Sequence, residues 1–179
     1  MSKKILIISS SPRKGGNSDS LCDSFQCGAE EAGNSVKKIA LREKNIACCT
    51  GCGACALSHK CVQQDDMDVI VDEMIAADII VLATPVYFYT MCAQLKTMID
   101  RMNARYTEVV NKAFYFILTA ETTDAQKMER TADGLRGFLA CLKGAEEMGI
   151  LYAPGLGKAG AARSSPAFQK AYEMGKRIH

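Results

Sequence analysis

Five short apolar runs, Ile5 to Ser9, Val36 to Leu41, Ile79 to Ala83, Ala113 to Thr119 and Glu147 to Tyr152, alternate along this chain with five stretches of helical spacing. The first run is mostly β-branched and ends in turn formers, Ser9 through Ser18, that no strand continues. From Ser18, Leu21, Phe25, Ala29 and Ala32 recur at helical intervals until Gly33. Met67, Ile70, Val71, Met74 and Ile75 mark a second helix ending near Asp78, and Leu95, Met98, Ile99 and Met102 a third. Met128, Ala132, Leu135, Leu139 and Leu142 give a fourth, and Phe168, Ala171, Tyr172 and Ile178 a fifth. Strands alternating with helices imply right-handed crossovers and a parallel sheet covered on both faces, a doubly wound α/β fold. With 179 residues, 48% of them hydrophobic, and no internal repeat or linker, a single domain over 1–179 is expected.

In such sheets ligands lie outside the carboxyl ends of the strands, where the winding reverses. The loop Ser9 to Ser18 has neither the GxxxxGK[ST] nor the GxGxxG arrangement. It still reads as an anion cradle: the hydroxyls of Ser9, Ser11 and Ser18, the Asn17 amide and Arg13 surround Gly15-Gly16 at a helix start. A capped turn, with Asn17 or Ser18 as the cap and Arg13 in solvent, fits the same residues. Its place after the first strand favours the phosphate. After the third strand, Thr84-Pro85-Val86-Tyr87-Phe88-Tyr89 reads as a loop of aromatic residues against which a planar ring could lie, or alternatively as a hydrophobic plug or subunit contact.

The second connection, about 45–66, carries Cys49, Cys52, Cys55 and Cys61 in a C-x2-C-x2-C-x5-C run. Ligands this close can turn around a small inorganic cube, each thiolate taking one iron. A zinc site more often uses two separated CxxC pairs, and a loop of free or redox-active thiols is the third alternative. Cys48 is an extra neighbouring thiol. The near-balanced charge, 22 basic against 20 acidic residues, has no basic run to follow a phosphate backbone and argues against nucleic acid. Uncharged apolar runs stop at five and six residues, so no membrane span is expected, and no signal peptide is legible. A cytoplasmic location is expected, and there nine cysteines would serve as thiols or metal ligands.

Other signals carry less. Gly155-Leu-Gly-Lys-Ala-Gly160 matches GxGxxG, but too little chain follows it for a dinucleotide unit, and a mobile loop is expected. His59 reads as solvated or as a donor behind the cysteine ligands, Asp65-Asp66 as a helix cap and first-turn anion, and Cys22, Cys27, Cys92 and Cys141 as small helix residues.

Ser11 to Ser18, Cys49 to Cys55, Asp65-Asp66-Met67, Ala83 to Tyr87, Leu95-Lys96 and Ile99-Asp100-Arg101 together resemble the NADPH-dependent FMN reductase family, and within it are most similar to iron-sulfur flavoproteins. The resemblance runs from residue 4 to about residue 120. It implies a flavodoxin-like fold of strand order 2-1-3-4-5, non-covalent FMN and a homodimer or homotetramer completing the flavin site. By position, Ser11, Arg13, Asn17 and Ser18 would bind the FMN phosphate, with Ser9 beside them. Thr84, Pro85, Val86, Tyr87 and Phe88 would meet the isoalloxazine, and Thr119, Ala120 and Glu121 would flank it. A 4Fe-4S cluster on the four cysteines follows from the same resemblance. The implied activity is electron transfer between NAD(P)H or ferredoxin and a quinone, an oxygen species or a protein acceptor, the flavin rather than any side chain doing the chemistry. A flavin and cluster carrier or redox sensor without turnover, a cluster-free NAD(P)H-dependent FMN reductase, and a zinc-stapled module without flavin are the alternatives.

Overall fold

The computed structural model describes residues 2–179. The apolar runs form parallel strands β1 (Lys4–Ser9), β2 (Ser35–Ala40), β3 (Ile79–Tyr87), β4 (Ala113–Thr119) and β5 (Glu146–Ala153), side by side in the order 2-1-3-4-5. Between and after them lie α1 (Asn17–Glu31), α2 (Met67–Ala76), α3 (Ala93–Arg101), α4 (Glu129–Leu139) and α5 (Pro166–Lys176). This is the flavodoxin-like three-layer arrangement. Ile5 pairs with Val36 on one side and Ile79 on the other, so the winding reverses at β1 and β3.

Period-two alternation divides the core. Ile5, Ile7, Val81 and Ile117 point to one face, where Leu21, Phe25 and Ala29 of α1 and Ala171 of α5 cover them. Leu6, Ile8, Leu82, Phe114 and Phe116 point to the other, against Ile70 and Met74 of α2, Leu95 and Met98 of α3 and Leu135 of α4. Both faces are dry, which is why the strands read as continuous apolar runs.

The structure departs from the sequence expectation in three places. β3 runs on to Tyr87, so Thr84 to Tyr87 is strand and not loop. Pro85 sits opposite Thr119 of β4, beyond the Ser9–Ala83 pair where the β1 ladder ends, and Val86 and Tyr87 pair with Met91 and Thr90 of a two-residue return strand. The fourth helix begins with a 3-10 turn, Ala125–Met128, and ends before Leu142. Cys92 and Cys141 lie just outside α3 and α4. No helix among the described residues is long and apolar enough to cross a membrane.

Candidate functional site

The loop after β1 is shaped from beneath. Ser10 donates to Ala83 O through both its N–H, at 2.9 Å, and its Oγ, at 2.7 Å, which fixes the exit of β1 against β3. Gly15 takes φ +65, a left-handed conformation suited to glycine, and its N–H donates to Asp19 Oδ2 at 2.9 Å. Gly16 precedes α1 with no side chain capping the helix, so first-turn N–H groups are left facing outward. Arg13 bonds Ser11 Oγ through its backbone alone, and its side chain is exposed.

Those groups form one wall of a cleft of about 170 Å³ at the carboxyl ends of β1, β3 and β4. Ser11, Arg13, Asn17 and Ser18 line it on one side, Pro85, Val86 and Tyr87 on the second, and Thr119, Ala120 and Glu121 on the third. Ser18 Oγ and Thr119 Oγ1, 2.7 Å apart, lock the first wall to the third. Three expected residues stand elsewhere. Ser9 is buried and donates to Asp19 Oδ1 at 3.1 Å. Thr84 is buried and accepts the Cys92 N–H at 3.1 Å, holding the start of α3. Phe88, at φ 49 in the hairpin turn and 99% exposed, does not line the cleft.

A fourth wall was not anticipated. Leu156, Gly157 and Ala159 line the cleft, so the Gly155–Gly160 run is part of it rather than a free loop. Asn17 holds this run: its Nδ2 donates to Leu156 O at 2.8 Å and Lys158 O at 2.9 Å, and its Oδ1 accepts the Ala162 N–H at 3.0 Å. The Asn17 side chain is therefore committed to the wall and leaves its backbone N–H for a ligand. The one signal in the sequence was a glycine-rich run after the last strand, on the edge where the other loops open.

The cysteine loop follows β2 on the same edge. Cys49 and Cys52 are exposed, Cys55 and Cys61 half-buried. Gly51 and Gly53 adopt φ +66 and +73, reversing the chain between successive cysteines, and Cys55–Ser58 makes one helical turn. The Ala54 N–H, and then the Thr50 hydroxyl, pull the Cys52 thiol below its usual pKa. The ends of the loop are tied together by Asp65, which accepts the Ala47 N–H at 3.1 Å and the Met67 N–H at 3.1 Å, and by Asp66, which accepts the Asn45 N–H at 2.7 Å. Asp65 thus takes the first N–H of α2 from just outside the helix, while Asp66 at the cap position makes no side-chain bond to it, and Asp65 also meets Arg101 in a bidentate pair, Nη1–Oδ2 2.6 Å and Nη2–Oδ1 3.1 Å. Among the described residues no three His, Cys, Asp or Glu side chains gather as ligands of a metal ion.

The family model for NADPH-dependent FMN reductase matches residues 3–150. The chain belongs to that family. An iron-sulfur flavoprotein of Archaeoglobus fulgidus is 42% identical over 99 residues, 55% of this chain and 45% of the relative. One from Methanosarcina thermophila is 42% identical over 98 residues, 55% of this chain and 51% of the relative. The match thus spans about half the length of these curated relatives. A solved NAD(P)H:quinone oxidoreductase from Methanothermobacter marburgensis superposes with a TM-score of 0.75 at 18% identity, covering 100% of this chain and 98% of the other, a likeness of fold.

The cleft suits the FMN that the family name implies. A methyl group at Gly16 would stand 2.8 Å from Ser11 Oγ, and one at Gly157 2.9 Å from Glu121 Cγ, so two glycines keep the cradle open. Hydroxyls, a guanidinium and a helix start are donors matched to a phosphate. The cysteine loop offers four thiols of the kind an FMN reductase relative would need for a cluster. Four thiols are soft donors suited to iron or zinc.

Proposed function

We propose that the chain binds FMN in this cleft and moves electrons from NAD(P)H, or from ferredoxin, to a quinone, an oxygen species or a protein acceptor, with a 4Fe-4S cluster on Cys49, Cys52, Cys55 and Cys61 as a second redox centre. The observation that carries the reading is the uncapped start of α1 in the same cleft as Ser11, Arg13 and the Pro85–Tyr87 strand end. Ser11, Arg13 and the first-turn N–H groups hold the phosphate. The backbone of Pro85, Val86 and Tyr87 lies along the ring edge, Thr119 to Glu121 lie opposite, and Leu156 and Gly157 close the phosphate end. Bound FMN would supply the redox chemistry, exchanging electrons with its donor in pairs, and the cluster would pass them singly. No side chain is required as an acid or base.

The names of the curated relatives support the second centre. The surface beside it favours a protein as one electron partner: Leu57 and Val62 are 93% and 62% exposed within the cysteine loop. Flavin, iron and sulfide content of anaerobically purified protein, followed by anaerobic mixing with NADPH, tests the reading. Rapid bleaching of bound flavin supports the enzyme. Reduction by ferredoxin and not by NADPH would name ferredoxin as the donor, reduced flavin that passes no electrons to a quinone or other small acceptor would replace the enzyme with the carrier, and protein that takes up no FMN would end both.

A further inference from the structure

The far end of α3 and the 3-10 turn after it, Met102–Ala104, face the cysteine loop with hydrogen-bond donors. Asn103 Nδ2 donates to Cys55 Sγ at 3.2 Å. Arg101, whose side chain is 1% exposed, reaches across the loop: Nη1 donates to Ala47 O at 2.8 Å and Gln63 Oε1 at 3.3 Å, and Nη2 to Gln63 O at 3.4 Å, besides the pair with Asp65. Cys61 lies beside the same guanidinium. The adjacent extra thiol, Cys48, is turned aside to Thr97 Oγ1, 3.8 Å away.

One atom in this arrangement has no partner. Arg101 Nε is buried and bonded to nothing, although every other guanidinium nitrogen is engaged. A buried N–H left unmade costs about 1–3 kcal/mol and calls for an explanation. A neutral thiol is a poor acceptor, but a metal-bound thiolate is a good one, and Cys61 is the cysteine close enough to the guanidinium to influence it.

We propose that Arg101 and Asn103 are positioning residues of the thiolate centre, donating from Nε and Nδ2 to the sulfurs of Cys61 and Cys55 and thereby raising the reduction potential of the cluster those sulfurs hold. The proposal rests on the cluster reading above. Each electron added makes such a centre more negative, and N–H donors together with a buried positive charge stabilise the reduced form more than the oxidised one. The same helix begins at the hairpin that flanks the flavin cleft. Its nine residues span about 13 Å, so α3 reaches from the rim of one centre to the donors of the other.

The test is a potentiometric titration of the full chain, reconstituted anaerobically with FMN, iron and sulfide, as wild type, Asn103→Ala and Arg101→Lys. Asn103 is exposed and outside the Arg101–Asp65 pair, so Asn103→Ala keeps the fold and carries the test alone where Arg101→Lys fails to fold. The expected result is wild-type iron and sulfide in Asn103→Ala, a cluster midpoint shifted to lower potential, and an FMN midpoint that does not move. Arg101→Lys shows the same downward shift with reduced iron content. If variants with wild-type iron content titrate at the wild-type potential, the two residues only staple the loop and the proposal is wrong. A wild-type chain that takes up no iron and sulfide overturns the cluster reading itself, and the proposal with it.

Discussion

Asp19 Oδ2 accepts the Gly15 N–H at 2.9 Å from within the first turn of α1, so a buried carboxylate holds the loop that faces the cleft. Its other partners are Ser9 Oγ at 3.1 Å, Lys38 Nζ at 3.1 Å and Arg42 Nη1 at 3.2 Å. Lys38 also pairs with Asp23. The two cations neutralise Asp19, so this carboxylate adds no repelling charge beneath the loop. Asp19→Asn would leave them facing an amide, and breaking a buried pair from one side costs roughly 3 kcal/mol. Urea unfolding should show a loss of that order together with weaker FMN binding. Wild-type values of both would mean that Asp19 does not organise the loop.

Acid should expose the same design. Burial alone would raise the Asp19 carboxyl, but the Gly15 N–H, Lys38 and Arg42 hold it below its usual 3.8. Asp65 behaves alike: burial works upward, and Arg101 with the Ala47 and Met67 N–H groups brings it down. A carboxylate depressed in the folded state contributes its full stability above the unfolded pKa and loses it as pH falls through the folded one. Unfolding midpoints should therefore decline below about pH 4, and Asp65→Asn should flatten that decline. A variant with the wild-type acid slope would remove Asp65 as a cause.

Arg13 and Asn17 border one cleft, yet they should fail differently. Arg13 offers a charge, so Arg13→Ala should weaken FMN binding about tenfold, in the range of one charge-assisted hydrogen bond, and reduce its salt dependence. Asn17→Ala loses its bonds to Leu156, Lys158 and Ala162 and should speed FMN release with the salt dependence intact. Fluorescence titrations at several salt concentrations separate the two. Equal salt slopes for wild type and Arg13→Ala would take the guanidinium off the phosphate.

Much of this was legible because it is local. β4 reads correctly over Ala113 to Thr119, since an apolar run between polar residues has few other uses in so regular an alternation. Ser9, Thr84 and Phe88 fall outside the cleft lining for local reasons that residue type does not reveal: Ser9 turns to Asp19 ten residues on, Thr84 holds Cys92 eight residues on, and Phe88 sits at the tip of a hairpin. Pro85 looks like the end of a strand until β4 and a return strand are there to pair beyond it. The fourth wall depends on Asn17 reaching carbonyls 139 and 141 residues later, and the Arg101–Asp65 clamp joins residues 36 apart. Neither spacing has a period that a sequence reading could detect.

α1 and α5 cross where glycine is obligatory. A methyl group at Gly28 would fall 2.0 Å from Tyr172 O, and one at Gly175 2.1 Å from Phe25 O. Backbone cannot yield as a side-chain tip can, so Gly28→Ala should cost about 3 kcal/mol, the upper end for overpacking, despite the better helix propensity of alanine. Thermal unfolding with FMN present and absent checks this. A fall of equal size in both would place the defect in the helix crossing and not in the cleft, whereas an unchanged Tm would show that α5 can shift.

The hairpin beside the cleft turns on Phe88 and Tyr89, with φ of 49 and 64, where a two-residue turn ordinarily carries Asn-Gly. Left-handed backbone at a bulky residue costs of order 1–3 kcal/mol. Nothing covers Phe88 in return, and Tyr89, still 51% exposed, meets Arg130, whose guanidinium carbon lies 5.6 Å from its ring centroid. Burial within the chain therefore does not explain why aromatic residues occupy the turn. Replacing the pair by Phe88→Asn and Tyr89→Gly should stabilise the chain by about 1 kcal/mol or more, seen as a higher urea midpoint. If the aromatic tip meets the electron donor or acceptor, the same variant should bind FMN normally but turn over NADPH-dependent quinone reduction more slowly. A gain in stability with unchanged kcat and KM would leave the strain in place and remove the tip from the reaction.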